Sequence, residues 1–357
     1  MAAFYPREEF VHLIHYKDAM YGALLAISAV TFMVTALFAL IFSYNLGMLL
    51  PSILGGTEMN IQFNASEFSV TSNYQNDEIL RKSFNQLAND IFGIDFEQWF
   101  QNGCWDKNYI CHSVVINQKV VSNVSVNKMN LIIDGTSQRA IQIGTVMTHP
   151  DYRGNGFSGA LMKHVLETYR DECEVFYLFA NDSVHHFYPK FGFTPCNEVH
   201  FSMKVAPISI VNNGLRKIDC ANEEDLKMIN KILQTRTPVS NQFGISDNQG
   251  IFMFYALNVF QDSIYLFEDE GAIIVYQSEG NVLHLYDVVS KSRIDLVRLL
   301  SHISNRDTEI IQFYFTPDCF TENVNYELKS QGDLLFIKSK NKLNLSFAFC
   351  APMLSHA

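Results

Sequence analysis

The sequence predicts an α+β fold, a mixed sheet packed with helices, in two successive copies behind an apolar N-terminal segment. Three observations lead there. An apolar, β-prone run from Ile141 to Met147 passes through the glycine turn Arg153-Gly154-Asn155-Gly156 into a helical pattern. A similar order of helix and strand signals recurs beyond residue 209. No charged residue occurs from Ala19 to Thr57.

A chain of 357 residues can bury two ordinary cores. Its 48% hydrophobic and 13% aromatic content fits a folded chain rather than a disordered one. The net charge of −11 argues against general binding of nucleic acid, which needs a basic face. The seven cysteines, Cys104, Cys111, Cys173, Cys196, Cys220, Cys319 and Cys350, are scattered and odd in number, with no CxxC. That pattern fits free thiols in a reducing compartment rather than a disulfide framework or a zinc site, so no metal is expected.

Residues 1–58 stand apart. Tyr21 to Leu50 is almost wholly apolar, longer than the ~20 residues that span a bilayer. It is also too long for the apolar part of a signal peptide. Arg7 and Lys17 precede the span and no Lys or Arg follows until Arg81, which by the positive-inside rule keeps the N-terminus in the cytoplasm. A single span would then put the rest outside. Two short spans, Tyr21–Leu37 and Phe38–Leu54, would return it to the cytoplasm, and a start at Met59 would make the segment extraneous.

The first copy, residues 59–208, opens with a helix from Asp77 to Ile91 whose apolar face is Leu80, Phe84, Leu87 and Ala88. Strands are predicted at His112–Ile116, Val120–Val126 and Ala140–Thr148. The helix after the glycine turn presents Phe157, Leu161, Val165 and Leu166 at helical spacing. Cys173–Ala180 reads as a buried strand, Ser183–Phe191 as a short helix and Glu198–Val205 as a further strand. A linker with Pro207 and Asn212-Asn213-Gly214 follows. The second copy, 209–357, offers a strand at Leu215–Asp219, a helix at Asn222–Leu233 and strands at Ser263–Glu268, Ala272–Gln277 and Val282–Val289. A helix at Lys291–Ile303 and strands at Ile310–Phe315, Asp333–Ser339 and Leu343–Cys350 complete it. Val288-Val289-Ser290-Lys291-Ser292-Arg293 stands where the first copy has its glycines, so this half is not expected to make the same close backbone approach to a ligand.

A strand, a glycine turn and a helix N-terminus form an anion site, because the first helical amides are unpaired and the helix dipole favours negative charge. The Gly-Lys-Ser/Thr of a P-loop is absent. Gly154, Gly156 and Gly159 approach a Rossmann fingerprint, but no acid ends a second strand at the right distance.

Val146-Met147-Thr148-His149-Pro150-Asp151-Tyr152-Arg153-Gly154-Asn155-Gly156 resembles the pyrophosphate motif of the GNAT superfamily of N-acetyltransferases, with Ser158 at its last small position. Farther on, Ala180-Asn181 and Phe187-Tyr188-Pro189-Lys190-Phe191-Gly192-Phe193 look like the family's second signature. The resemblance covers about residues 60–205 well and the rest more faintly. It implies acetyl-CoA as acyl donor and an amine, on a small molecule or peptide, as acceptor, with the catalytic domain in the cytoplasm. Arg153, Gly154, Asn155, Gly156, Phe157 and Ser158 would hold the pyrophosphate. The strand Val146, Met147, Thr148 and the side chain of Asn181 would hold the pantetheine arm. The Met147 amide would receive the oxyanion and Tyr188 would protonate the departing thiolate. For the general base, Glu97, His112 and an ordered water stay open. So does Ala357, since in some members the C-terminus reaches the cleft. Two other functions stay open: a non-catalytic CoA-binding sensor or scaffold, and an adaptor attached to a membrane through residues 21–50.

Overall fold

The computed structural model describes residues 56–63, 66–205, 211, 214–318, 324–330 and 332–357. The apolar stretch 21–50 lies outside them. Among the described residues, no helix is long and apolar enough to cross a membrane. Residues 56–357 form one compact unit.

In chain order the first half runs β1 (Thr57–Phe63), β2 (Ser66–Ser72), α1 (Glu78–Phe92), α2 (Glu97–Gln101), β3 (Tyr109–Ile116), β4 (Lys119–Ile133) and β5 (Thr136–Thr148). Then come α3 (Phe157–Thr168), β6 (Val175–Ala180), β7 (Thr194–Cys196) and β8 (Val199–Lys204). The second half runs β9 (Leu215–Lys217), α4 (Glu223–Leu233), β10 (Phe243–Ser246), α5 (Gln249–Asn258), β11 (Ile264–Phe267), β12 (Ala272–Glu279) and β13 (Val282–Val289). It ends with α6 (Leu296–Ile303), β14 (Ile310–Phe313), β15 (Val324–Leu328) and β16 (Leu334–Ser339).

Two sheets result. One has the order β1-β2-β3-β4-β5-β6-β16-β7, with β10 added against β4; the other is β15-β8-β14-β13-β12-β11-β9. Each contains one parallel pair, β5 with β6 and β13 with β14, joined through α3 and α6 respectively. Beyond that pair each sheet takes a strand from the opposite half of the chain. β16 lies antiparallel between β6 and β7, and β8 lies antiparallel between β14 and β15. The strand expected at Glu198–Val205 in the first copy thus belongs to the second sheet, and that at Asp333–Ser339 to the first. A boundary at 208/209 does not separate the sheets.

Local chemistry explains the elements. Asp77 accepts from the amides of Ile79 and Leu80 and so caps α1, which buries Phe84, Leu87 and Ala88 and ends at Gly93 in the left-handed region. The β4–β5 hairpin is longer than expected from sequence. Its two-residue turn is Asp134-Gly135, both at positive φ, as a turn matching strand twist requires. The helix expected at Ser183–Phe191 is two short 3-10 turns, Asp182–Val184 and Tyr188–Phe191. Leu343–Cys350, expected as a strand, is irregular chain, tied down where Phe349 stacks on Phe243 and where Cys350 and Thr316 exchange hydrogen bonds.

The second half also holds a buried ion pair. Both terminal nitrogens of Arg236 donate to Asp287 of β13 at 2.9 Å, and the two side chains are 3% and 1% exposed. The six described cysteines are free thiols.

Candidate active site

The site is built where β5 parts from β6. Their pairing stops at Gln142 and Tyr177, yet β5 runs on to Thr148 and β6 to Ala180. The divergence coincides with a bulge in β5, where the register against β4 shifts between Asn123 and Ser125. Thr145, in the bulge, has a φ of 48°, a value a β-branched residue adopts only when its surroundings compel it. Asn123 holds it there by donating to the Thr145 carbonyl at 2.8 Å, and Tyr109 shares a hydrogen bond with the Thr145 hydroxyl at 2.9 Å.

These bonds decide which amides face the gap. The Thr145 carbonyl accepts from the Asn123 side chain, so the Val146 N–H, on the far side of the same planar peptide, points away from that side chain. The Met147 carbonyl accepts from Ser122 of β4 at 3.1 Å, which turns the Thr148 N–H outward as well. His149 donates to the Val121 carbonyl at 2.8 Å, and ladder alternation from that pair sends the Met147 N–H to β4. Met147, expected as oxyanion donor, is therefore turned the wrong way. Val146 and Thr148 present the free strand edge.

Beyond β5 the chain turns into α3. Gly154 and Gly156 have φ of 83° and 82°, which side-chain-bearing residues rarely adopt. Gly156 caps α3 without a side-chain hydrogen bond, whereas Asp77, Asn222 and Asp295 close the N-termini of α1, α4 and α6. No side chain therefore covers the N-terminus of α3, where the helix dipole favours an anion. A relay from Ser122 to the Thr148 hydroxyl (2.8 Å) and on to Ser158 (2.7 Å) ties strand to helix. In the second half, Asp295 puts its own carboxylate on the amides of Val297 and Arg298, so that helix N-terminus is already satisfied.

A cleft of about 940 Å³ runs along the parted strands. Val146, Met147, Thr148, Arg153 and Ser158 line it, as do Asn181, Tyr188 and Ala357. Arg153 Nε donates to the Thr148 carbonyl at 3.4 Å. The Asn181 carboxamide oxygen is engaged by the Ser183 amide at 3.1 Å, and by its hydroxyl. Tyr188 is buried against Phe187, Phe193 and Phe336, and burial, with Asp333 nearby, pushes its phenol up to about 12. Ala357 packs so closely on Gly144 that a methyl there would lie 2.9 Å from it, and the His356 ring stacks on Phe179 at 3.6 Å.

Other expected residues lie elsewhere. Phe157 is buried in the core beneath α3, and Asn155 donates to the Tyr152 carbonyl within the turn. Glu97 does not line the cleft: Arg81, Asn85 and Gln101 all donate to its carboxylate, and the Arg81 guanidinium lowers its pKa. His112 is buried between Ser72 and Tyr169, bonded at 2.8 and 2.9 Å, and burial pushes its pKa down to about 3. Neither is placed to take a proton from an acceptor in the cleft.

Sequence reasoning missed the far wall. Ile251, Phe254 and Tyr255 reach the cleft from α5, and Asp333 from the start of β16. The signal for α5 was its run Ile251-Phe252-Met253-Phe254-Tyr255-Ala256-Leu257, apolar all round and so without a helical period, as a buried helix is. Among the described residues, no three His, Cys, Asp or Glu side chains form a metal-binding group.

Residues 75–196 match the family model of the acetyltransferase (GNAT) domain, a stretch that takes in α1 through β7. No curated protein matches the chain. A solved structure from Enterococcus faecalis V583, described as a conserved protein of unknown function and probable N-acyltransferase, is similar at 13% identity and a TM-score of 0.50, over 73% of this chain and 70% of that one. Eis1 from Mycobacterium abscessus is similar at 13% identity and a TM-score of 0.50, over 79% and 73%. At these identities the likeness is one of fold. The chain thus carries a GNAT-type domain in a mixed α/β fold.

Proposed function

We propose that this protein transfers an acetyl group from acetyl-CoA to a primary amine by direct attack of the amine on the thioester. The observation that carries the proposal is a single cleft in which a free strand edge leads to a helix N-terminus that no side chain caps. The amides from Gly154 to Ser158 hold the pyrophosphate, and the Arg153 guanidinium adds charge. The edge of Val146 and Thr148 bonds the pantetheine arm as an added strand would. When the amine nitrogen bonds to the thioester carbon, the Val146 N–H takes the developing oxyanion. As the carbon–sulfur bond breaks, the Tyr188 phenol gives its proton to the thiolate. The Ala357 carboxylate, which the family resemblance brings to this cleft, takes the proton of the amine. The second sheet is a second copy whose helix N-terminus, closed by Asp295, no longer serves CoA.

Amine-dependent thiol release from acetyl-CoA, followed in the wild type and in Tyr188→Phe, tests the proposal. The variant keeps the ring and its packing, so kcat should fall about a hundredfold while the Kd of acetyl-CoA stays put. Since the phenol is pushed up to about 12, the wild-type rate should not decline with its ionisation between about pH 7 and 10. Equal kcat in the two proteins removes Tyr188 from the mechanism. Acetyl-CoA binding with no amine-stimulated release favours a CoA sensor instead.

A further inference from the structure

One end of the cleft is walled by a packed box of aromatic side chains. Phe96, Trp99, Tyr109 and Phe254 pack on one another with ring centroids 5.1 to 6.3 Å apart, and the first three are at most 7% exposed, so the cleft meets the edge of this cluster chiefly at the half-buried Phe254. They come from the segment after α1, from α2, from β3 and from α5 of the second half, so the box closes only when the two halves pack together. Ile91 and Phe92 continue the apolar wall toward the opening, where Phe92 is 43% exposed.

The polar atoms of this wall are already used. Trp99 donates its ring N–H to the Gly250 carbonyl at 2.7 Å, and Tyr109 shares its hydroxyl with Thr145. The wall therefore offers a ligand hydrocarbon contact and π faces rather than hydrogen bonds. Asp333 is the one acidic side chain among the described lining residues, which also include the cationic Arg153 and Lys190. A polycation would meet too few carboxylates and would leave charged groups against an apolar wall, which is costly.

We infer that the acceptor is a monoamine on an aryl or branched-alkyl skeleton, its hydrocarbon seated against the Phe254 edge of this aromatic box and the wall of Ile91 and Phe92. The inference rests on the acyltransferase proposal for the direction of transfer, but the box can be tested apart from turnover. One ring of the ligand would pack edge or face against Phe254. The amine would project toward β5, where the thioester carbonyl lies in the proposed geometry.

The chain has two tryptophans, and both Trp99 and Trp105 belong to this aromatic cluster, so intrinsic fluorescence reports a ligand packed against it. The full chain would be titrated with 2-phenylethylamine and, separately, with spermidine. Saturable change with 2-phenylethylamine, weakened about tenfold by Phe254→Ala and several-fold by the exposed Phe92→Ser, is the expected result. Phe92→Ser serves because a surface position leaves folding intact. Binding of spermidine in preference to 2-phenylethylamine overturns the inference, as does binding of neither, or binding insensitive to both substitutions. Thiol release is then assayed with the amine that binds. If 2-phenylethylamine packs against the box and no thiol is released, the acyltransferase proposal falls while the box assignment stands.

Discussion

Replacing Gly154 by Asp is expected to weaken acetyl-CoA binding by about a hundredfold or more. The position combines a φ of 83° with open space, since a Cβ there would meet nothing within 4 Å. The substitution therefore clashes with nothing in the protein. Its cost to folding is the left-handed backbone, about 1–2 kcal/mol. Its effect on the ligand is larger, because a carboxylate would stand among the amides assigned to the pyrophosphate and cancel the field of the α3 N-terminus. Gly154→Asn separates the two effects: asparagine tolerates the left-handed region and carries no charge. Calorimetric titration should find binding largely kept in the Asn variant and largely lost in the Asp variant. Equal affinity in all three proteins would move the pyrophosphate away from this turn.

Asp287→Ala is expected to destabilise the fold by about 3–5 kcal/mol. The carboxylate accepts two bonds from Arg236 and one from the Val288 amide at 2.8 Å, and Arg236 Nε has no partner of its own. Removing Asp287 leaves a guanidinium buried without a counter-charge, with no route to water short of local unfolding. Replacing both partners together, as Arg236→Met with Asp287→Leu, should cost much less than the single change, because no charge is then left buried. Urea denaturation of the three proteins checks both statements. A single substitution as mild as the double would mean that the pair is hydrated or that its loop can swing out.

The glycine turn and the two signatures around it were legible because their chemistry is local. Gly154 and Gly156 need positive φ, and the helix that starts at Phe157 shows its buried face every third or fourth residue. What escaped depends on pairing across long sequence separations. No local pattern in Leu334–Ser339 says that it inserts between β6 and β7, some 150 residues upstream. Both β8 and β16 look like ordinary strands wherever they pair. The oxyanion donor failed for a finer reason. One bulged residue at Thr145 sets the parity of the whole β5 edge and hands the outward amides to Val146 and Thr148 rather than Met147. Glu97 failed because Arg81, sixteen residues earlier on α1, engages it, and a lone acid in a sequence does not reveal its partner.

A crystal structure of the full chain with acetyl-CoA tests the central claim most directly. The account predicts the pyrophosphate on the amides of Gly154 to Ser158 and the pantetheine arm along Val146 and Thr148. It also predicts the thioester oxygen within about 3 Å of the Val146 nitrogen, with its carbonyl carbon facing the aromatic box. Acetyl-CoA bound with its pyrophosphate elsewhere, or with the thioester directed away from Val146 and Tyr188, would contradict it.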